Sequence, residues 1–592
     1  ITEGSNVVGA YRANDNMIIG ERNPFLYRNP DDPSALPQVV LPNGGIYKLE
    51  QNNLQSYYLR NALEYNKAFK DQDEQDKHTL KLFLGQEFRY TDRDNQSFDG
   101  YGYQFNRGGV VFTDPRIIEK VIADNAQYFD RSTGRERGVA FFSQASYGFR
   151  NRYILSGTLN YEGSNQLGRS RKARWLPTWN ISGRWNVTNE HFLPTTHALS
   201  NLSFRLSYGL IAGLNNIGNA LPIMVSTITP RFRNQDNERL IRILSLQNSD
   251  LTWEKVYETN FGTDIGFLSN AISLSVDLYQ KNSKDLLDIV RTSGMGGELN
   301  KYANDASMTT RGVELVLDTR NFKTEDFTWS TSVNFAYFKQ EITSLANASN
   351  SVFNLVRETG GNVLGNPRNT LYSYDFAGLN SQGMPLFNLK EGSRDYKDID
   401  FQDRDNILSY LKKEGAVDPN ITGGLSNTFR YKNWELNFLI TMQAGNKIRK
   451  APLYKGAGYD DLSVFPREFK NRWVAPGEEA LTQIPGIVSQ RTLNEENKAY
   501  ISRAYSAYNH STARVVDGSF VRMKSISLSY TFDKEVLENL NLGNLTLRLQ
   551  ASNPFLIYAH KDLNGQDPEF FRSGGVAYPI TPQYTFTINL GI

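Results

Sequence analysis

Apolar and polar residues alternate with a period of two along most of this chain, in runs of about nine to eleven residues. Ile272, Leu274, Val276 and Leu278 are separated by Ser273, Ser275 and Asp277, with Tyr279 following. Trp434, Leu436, Phe438, Ile440 and Met442 alternate with Glu435, Asn437, Thr441 and Gln443, Leu439 being the one exception. The same pattern covers Leu202–Leu210, Phe327–Tyr337, Ile526–Phe532 and Leu545–Ala551, and the chain closes on Tyr584, Phe586, Ile588, Leu590 and Ile592. Such a run is a strand with one apolar and one wet face. Its length matches a tilted strand crossing a bilayer, whereas soluble sandwiches use strands of about five or six residues repeated every 8 to 12. The connections are unequal. Two-residue polar turns, Ser269-Asn270 and Lys432-Asn433, alternate with long segments over 211–252, 338–370 and 444–519. Short turns at one end and long loops at the other are the pattern of a transmembrane barrel. The expectation is an all-β, antiparallel transmembrane β-barrel.

Composition agrees and removes other classes. The hydrophobic fraction is 39% and no run approaches the roughly 18 apolar residues of a spanning helix. A barrel with a wet lumen puts only every second side chain in lipid, so this average polarity does not count against it. Tyr, Phe and Trp make up 12% of the chain, a supply for interfacial aromatic girdles. Lys plus Arg number 65 against 63 Asp plus Glu, which leaves no excess for neutralising phosphates, and nucleic acid is not an expected partner. There is no cysteine, so disulfides, thiol nucleophiles and Cys-ligated metals are absent.

Motifs for chemistry are equally scarce, and the chain is not expected to be an enzyme or to carry a cofactor. The five histidines, His78, His191, His197, His510 and His560, contain no i, i+4 pair for a helical metal site. No Gly-x-Ser-x-Gly elbow, Walker A loop or Gly-x-Gly-x-x-Gly fingerprint occurs. The nearest approach to a metal site is the acidic stretch Asp395, Asp398, Asp400, Asp403, Asp405. With Asp398 as first ligand of a calcium loop, Asp400 falls at the third position, but Asp403 stands where the loop needs Gly and Ser409 where it needs Glu. A solvated acidic turn is the competing reading, and no metal is expected. Helical signals lie in the long connections, over Asp114–Phe129 and Phe465–Trp473. Loop aromatics Tyr101, Tyr103, Tyr454, Tyr459 and Trp473 are candidates for stacking on a ligand, with packing as the alternative.

Several blocks resemble SusC-like (SusC/RagA) transporters, the TonB-dependent outer-membrane importers of Bacteroidota. Leu251-Thr-Trp-Glu-Lys255, followed by Asn260, Gly262, Asp264, Gly266, Asp277-Leu-Tyr279, Lys281 and Asp285-Leu-Leu287, is similar to a signature hairpin of that family. Arg152-Tyr-Ile-Leu with Tyr161-Glu-Gly-Ser164, Trp175, Trp185 and Glu190, then Arg205-Leu-Ser-Tyr-Gly209, resemble the next stretches. Phe376-Ala-Gly-Leu379, Gly423-Gly424, Val521-Arg-Met-Lys524, Asn553-Pro554 and Asp567-Pro-Glu569 continue the order to the end. The resemblance runs from about residue 50 to 592.

The resemblance implies a 22-stranded barrel of the TonB-dependent type, of which about 16 to 18 strands are visible here. Residues 1–592 are expected to be the C-terminal part of that barrel with its long extracellular loops, the N-terminal plug domain not being present in this chain. It further implies an outer-membrane nutrient importer for glycan or peptide oligomers. Its partners would be a SusD-like surface lipoprotein as lid, the TonB complex acting through the plug region, and outer-membrane lipid, with dimers of transporter and lid pairs. Two alternatives stay open: a non-transporting structural or translocation barrel in a larger envelope complex, and a secreted β-rich adhesin or lectin.

Overall fold

The computed structural model describes residues 2–11, 44–70, 76–103, 129–166, 174–193, 198–213, 223–230, 237–245, 251–291, 300–345, 352–389, 392–398, 407–454, 465–489, 498–538, 542–570 and 580–591, together with isolated positions over 26–39 and 115–116. Among the described residues, sixteen strands form one antiparallel sheet in strict chain order. They are β1 Thr2–Tyr11, β2 Gly44–Lys70, β3 Asp76–Tyr103, β4 Phe129–Phe149, β5 Tyr153–Ser164, β6 Trp175–Asn186, β7 Leu199–Gly213 and β8 Glu254–Phe267. The second half is β9 Ile272–Arg291, β10 Asn300–Lys323, β11 Phe327–Leu345, β12 Ile421–Tyr431, β13 Trp434–Ala444, β14 Phe520–Thr531, β15 Asn544–Ala559 and β16 Gln583–Gly591. Every neighbour pair is an up-and-down meander, the topology in which each backbone group within the sheet finds its partner on the adjacent strand. The lateral edges of the sheet are β1 and β16 among the described residues.

The alternation seen in the sequence sorts side chains as expected. On β16, Tyr584, Phe586, Ile588 and Leu590 are 52 to 74% exposed, which only an apolar surrounding makes favourable for four large side chains in a row. Leu155 and Leu159 on β5, Ile181 and Trp185 on β6, and Leu206 and Tyr208 on β7 continue this outer face. Several strands run beyond the nine to eleven residues expected: β2 spans 27 and β3 spans 28. Lipid thickness sets only the minimum length, and hydrogen-bond pairing carries the wall past it.

Short and long connections segregate to opposite ends. The turns at 150–152, 268–271, 324–326 and 432–433 close one end, and left-handed backbone at Arg150, Asn151, Leu268, Ser269, Asn270 and Lys432 makes three of them tight. Outer-face aromatics gather at this end: Tyr153 stacks on Trp185, Trp185 touches Phe204, Trp329 stacks on Phe429, and Trp434 packs on Tyr530. That is an interfacial girdle.

The long connections carry structure of their own. Strands Ile223–Pro230 and Asn237–Ser245 pair within the connection from β7 to β8. The connection after β11 begins at 346, not 338, because β11 pairs as far as Leu345. It contains Thr370–Tyr374 paired with Leu411–Ala416 and Phe376–Leu379 paired with Pro385–Phe387. The connection after β13 contains Lys447–Arg449 paired with Val515–Asp517, and a helix over Lys498–Asn509. The helix expected over Phe465–Trp473 is a single 3₁₀ turn, Arg467–Asn471. Of the helix expected over Asp114–Phe129, Pro115 and Arg116 are helical, Phe129 opens β4, and the remainder lies outside the described residues. The helix at Lys498–Asn509 was not expected, although Ile501, Ala504, Tyr505 and Tyr508 have the spacing of one buried helical face.

Candidate functional site: a charged lumenal wall under a folded loop cap

The inner face of the wall is polar, and its densest cluster lies on four adjacent strands. Arg184 on β6, Ser203 and Arg205 on β7, Asp264 on β8, and Ser275 and Asp277 on β9 occupy the face opposite Trp185, Phe204 and Leu278. Asp264 is the hub. Its Oδ2 accepts from Arg184 Nη2 at 2.5 Å and from Ser203 Oγ at 3.1 Å, and its Oδ1 accepts from Ser275 Oγ at 2.9 Å and Arg205 Nη2 at 3.1 Å. Arg205 Nη2 also donates to Asp277 Oδ2 at 3.2 Å. Ser156, Asn180, Ser182, Ser207 and Asn260 line a concavity beside this cluster. Guanidinium, carboxylate, hydroxyl and amide groups on one surface suit a polar passage.

The block Leu251-Thr-Trp-Glu-Lys255 has a structural role beside it. Leu251 and Trp253 are buried, Thr252 exchanges hydrogen bonds with the Asn304 carboxamide at 2.8 Å each way, and Asn304 Nδ2 also donates to the Asp285 carbonyl at 2.7 Å. Asp285 has φ of 56° where the β9 and β10 register slips, and Lys255 Nζ sits 2.6 Å from its carboxylate. The block staples a bulge at the loop end of three strands.

Over the long-loop end, the connections 346–420 and 445–519 fold together around one aromatic core. Tyr372, Tyr374, Phe387, Tyr396 and Tyr410 come from the first; Leu453, Tyr454, Phe469, Ile501, Tyr505 and Tyr508 come from the second. Aromatic edges meet faces in most of its ring pairs, as for Phe376 on Tyr508 at 5.4 Å and Tyr454 on Tyr505 at 5.0 Å, while Phe465 stacks flat on Phe469 at 4.2 Å. Backbone bonds tie the loops: Tyr374 N donates to His510 O at 3.1 Å and Gly486 N to Gly383 O at 2.9 Å. Buried charge is paired. Arg514, 1% exposed, reaches Glu468 Oε1 at 2.6 Å, and Lys450 reaches Glu468 Oε2 at 2.8 Å. Burial acts to raise the Glu468 carboxyl, but Arg514 and Lys450 outweigh it and hold the pKa below the ordinary glutamate value. A second buried pair, Arg522 with Asp567 at 2.5 Å, pins the connection after β15 against β14.

The stacking candidates separate. Tyr454 is 5% exposed, its hydroxyl donates to the Pro485 carbonyl, and burial pushes its phenol well above the usual value. It is core. Trp473 is half-buried against Gly383 and Gly486, with Nε1 donating to Glu479 Oε2 at 3.2 Å. Tyr101 and Tyr103 lie at the loop end of β3, where the register slips between Gly45 and Ile46. This bulge puts them on opposite faces: Tyr101 pairs with Ile46 on the lumenal side, and Tyr103 stacks on Tyr47 outside, with centroids 5.4 Å apart. Tyr459 lies outside the described residues, as do Asp400, Asp403 and Asp405. Asp398 accepts from Ser393 Oγ, and Asp395 is engaged by Tyr500 and Lys397. Among the described residues no group of three or more His, Asp or Glu side chains is placed to hold a metal. Sequence reasoning assigned no role to Arg184, Arg449, Glu468 or Arg514, and Arg205 entered it only within the block Arg205-Leu-Ser-Tyr-Gly209. Asp264 and Asp277 stood in the hairpin block, and a charge on the wet face of a strand was the available signal.

Among curated relatives, the chain is 24% identical over 610 residues to TonB-dependent receptor P39 of Formosa agariphila, covering 94% of this chain and 54% of that protein. It is 25% identical over 520 residues to TonB-dependent receptor SusC of Bacteroides thetaiotaomicron, covering 84% of this chain and 47% of that one. The chain thus spans about half the length of the curated relatives it matches. Among solved structures, the RagAB peptide importer in its open-open state superposes with a TM-score of 0.74 at 22% identity, over 96% of this chain and 57% of that chain, a likeness of fold. The family described as TonB dependent receptor-like, beta-barrel matches residues 9–441, and with its wall of lipid-facing strands this chain belongs to that family of outer-membrane barrels.

Proposed function

We propose that this chain forms the wall and loop cap of a SusC-like, TonB-dependent nutrient importer that takes up glycan or peptide oligomers. The observation that carries the reading is the pairing of a charged, hydrogen-bonding lumenal wall with two long loops folded into one unit over its loop end. A barrel used only as a scaffold needs neither. Wide barrels leak unless filled, so a plug region accompanies the wall, and TonB draws on it from the periplasm. A SusD-like lipoprotein closes on the loop cap, and transporter and lid pairs assemble as dimers. The relatives support this reading: two are described as a SusC receptor and a peptide importer. Tyr101, lumenal and near the rim, is the stacking candidate best placed to meet an incoming ligand. The test is uptake of labelled oligosaccharides and oligopeptides by cells carrying or lacking the whole protein, with affinity purification to identify a bound lipoprotein. Loss of uptake of one oligomer class, with a lipoprotein co-purifying, is expected; unchanged uptake of both classes would end the reading.

A further inference from the structure

The outer face of β3 and β4 changes character along its length. From the short-turn end it is mainly apolar: Leu80 pairs with Tyr147, Leu82 with Ala145, Leu84 with Ser143, Gln86 with Phe141, and Phe88 with Val139, Ser143 and Gln86 being the uncharged polar exceptions. Next along the same face Tyr90 pairs with Arg137 and Asp92 with Arg135, and Arg131 follows. With a rise of about 3.3 Å per residue and a tilt of about 40°, Arg137 stands about 25 Å above Tyr147, the height of a barrel's apolar band. The first guanidinium therefore emerges where lipid tails give way to headgroups. An aromatic pair marks the same level, with Tyr57 against Tyr90 at 5.9 Å, and Tyr90 is the residue that pairs with Arg137.

The three arginines differ in what holds them. Arg131 makes a two-pronged pair with Asp94, at 3.0 Å through Nε and 2.9 Å through Nη2. Arg135 reaches Asp92 only through Nε, at 3.4 Å to either oxygen. Arg137 has its guanidinium over the Tyr90 ring at 5.8 Å and no carboxylate partner among the described residues. The Asn165 carboxamide fixes the backbone beneath both, accepting from Arg137 N at 2.6 Å and donating to Arg135 O at 2.9 Å. A guanidinium without a carboxylate, beside one held through a single nitrogen, is a fork suited to a tetrahedral oxyanion. Directly below, Val139 and Phe141 offer an apolar strip on the same face.

We propose that Arg137 and Arg135 bind the phosphoryl group of an outer-leaflet lipid, with its acyl chain lying along Val139 and Phe141. The full-length protein is extracted from native outer membranes in mild detergent, and phosphorus-bearing lipid retained per protein is counted by mass spectrometry. In the double variant Arg135→Gln/Arg137→Gln retention falls about tenfold, Arg131→Gln changes it little, and Asp92→Asn, which frees Arg135, raises it. Heat-modifiable gel mobility shows that each variant retains a folded barrel. Wild-type retention in the double variant overturns the proposal, as does an equal loss in Arg131→Gln. Displacement of nothing but inorganic phosphate, with lipid retention unchanged, assigns the fork to a free anion and overturns it too.

Discussion

Arg449 in the connection after β13 donates Nη2 to the Tyr372 carbonyl in the connection after β11, 2.7 Å away, with both residues under 5% exposed. The same guanidinium reaches Ser373 Oγ at 2.9 Å and Ser511 O at 3.1 Å, so one cation satisfies acceptors on both loops. Burial lowers its pKa to about 9, and it remains charged at neutral pH. Replacing it with Met removes the guanidinium donor from the Tyr372 carbonyl and from Ser373 Oγ, while Ser511 O keeps the Arg514 amide at 3.0 Å, at about 1–3 kcal/mol for each group left unsatisfied. In Arg449→Met, limited proteolysis is expected to cut within 346–420 and 445–519 far faster than in wild type, while the barrel stays heat-modifiable.

The loop cap should respond to acid in two stages. Burial lowers the His510 pKa, with Arg449 acting in the same direction, so the folded cap prefers the neutral imidazole. The unfolded loop takes up its proton first as pH falls through about 6.5, and stability declines from there until the folded-state pKa is passed. Asp395, Asp517 and Glu468 are held below their ordinary values, so their contribution, present above the unfolded carboxylate pKa, is lost only at lower pH. Hydrogen exchange in the cap, compared between neutral pH and pH about 5.5, should show protection falling in wild type and holding in His510→Gln.

The lumenal hub predicts coupling rather than collapse. Asp264→Asn leaves Arg184 without its carboxylate and Arg205 with Asp277, and both guanidiniums are over a third exposed, so the cost is held to about 1 kcal/mol by solvent screening. A double-mutant cycle with Arg184→Gln, read by urea unfolding in lipid, should give a coupling of the same size.

Facing assignments are checked by adjacent residues. Leu206 is 57% exposed on the outer face, and Ser207 stands on the other face of β7, two residues from Arg205 of the hub. Arginine at 206 is expected to cost about 2–4 kcal/mol if it lies near the bilayer midplane, and arginine at 207 much less. Equal costs in reversible unfolding would mean that the faces are assigned wrongly.

A backbone prediction concerns the cap. Gly383 has φ of 74°, and a Cβ there would come within 2.3 Å of the Trp473 ring. Gly383→Ala must therefore displace the indole and lose its bond to Glu479, lowering cap stability by about 1–3 kcal/mol. Trp473 fluorescence, compared between wild type and variant, reports the displacement.

What the sequence determined by itself was the wall. Period-two alternation is a property of each strand's own backbone, so Tyr584, Phe586, Ile588 and Leu590 could be placed on one outer face without knowing their neighbours, and two-residue polar turns located the short-turn end. Tyr101 and Tyr103, expected as loop aromatics, stand at the end of a strand, two residues apart yet on opposite faces, because a bulge belongs to a pair of strands and not to one. The loop cap was decided by tertiary structure alone. Phe376 N donates to Thr512 Oγ1 at 3.1 Å across 136 residues, and the Phe376 ring packs against Tyr508 only because two loops anchored on different strands meet above the wall. Tyrosines that bind and tyrosines that pack read alike in sequence; the burial of each depends on what the fold brings to it from far along the chain.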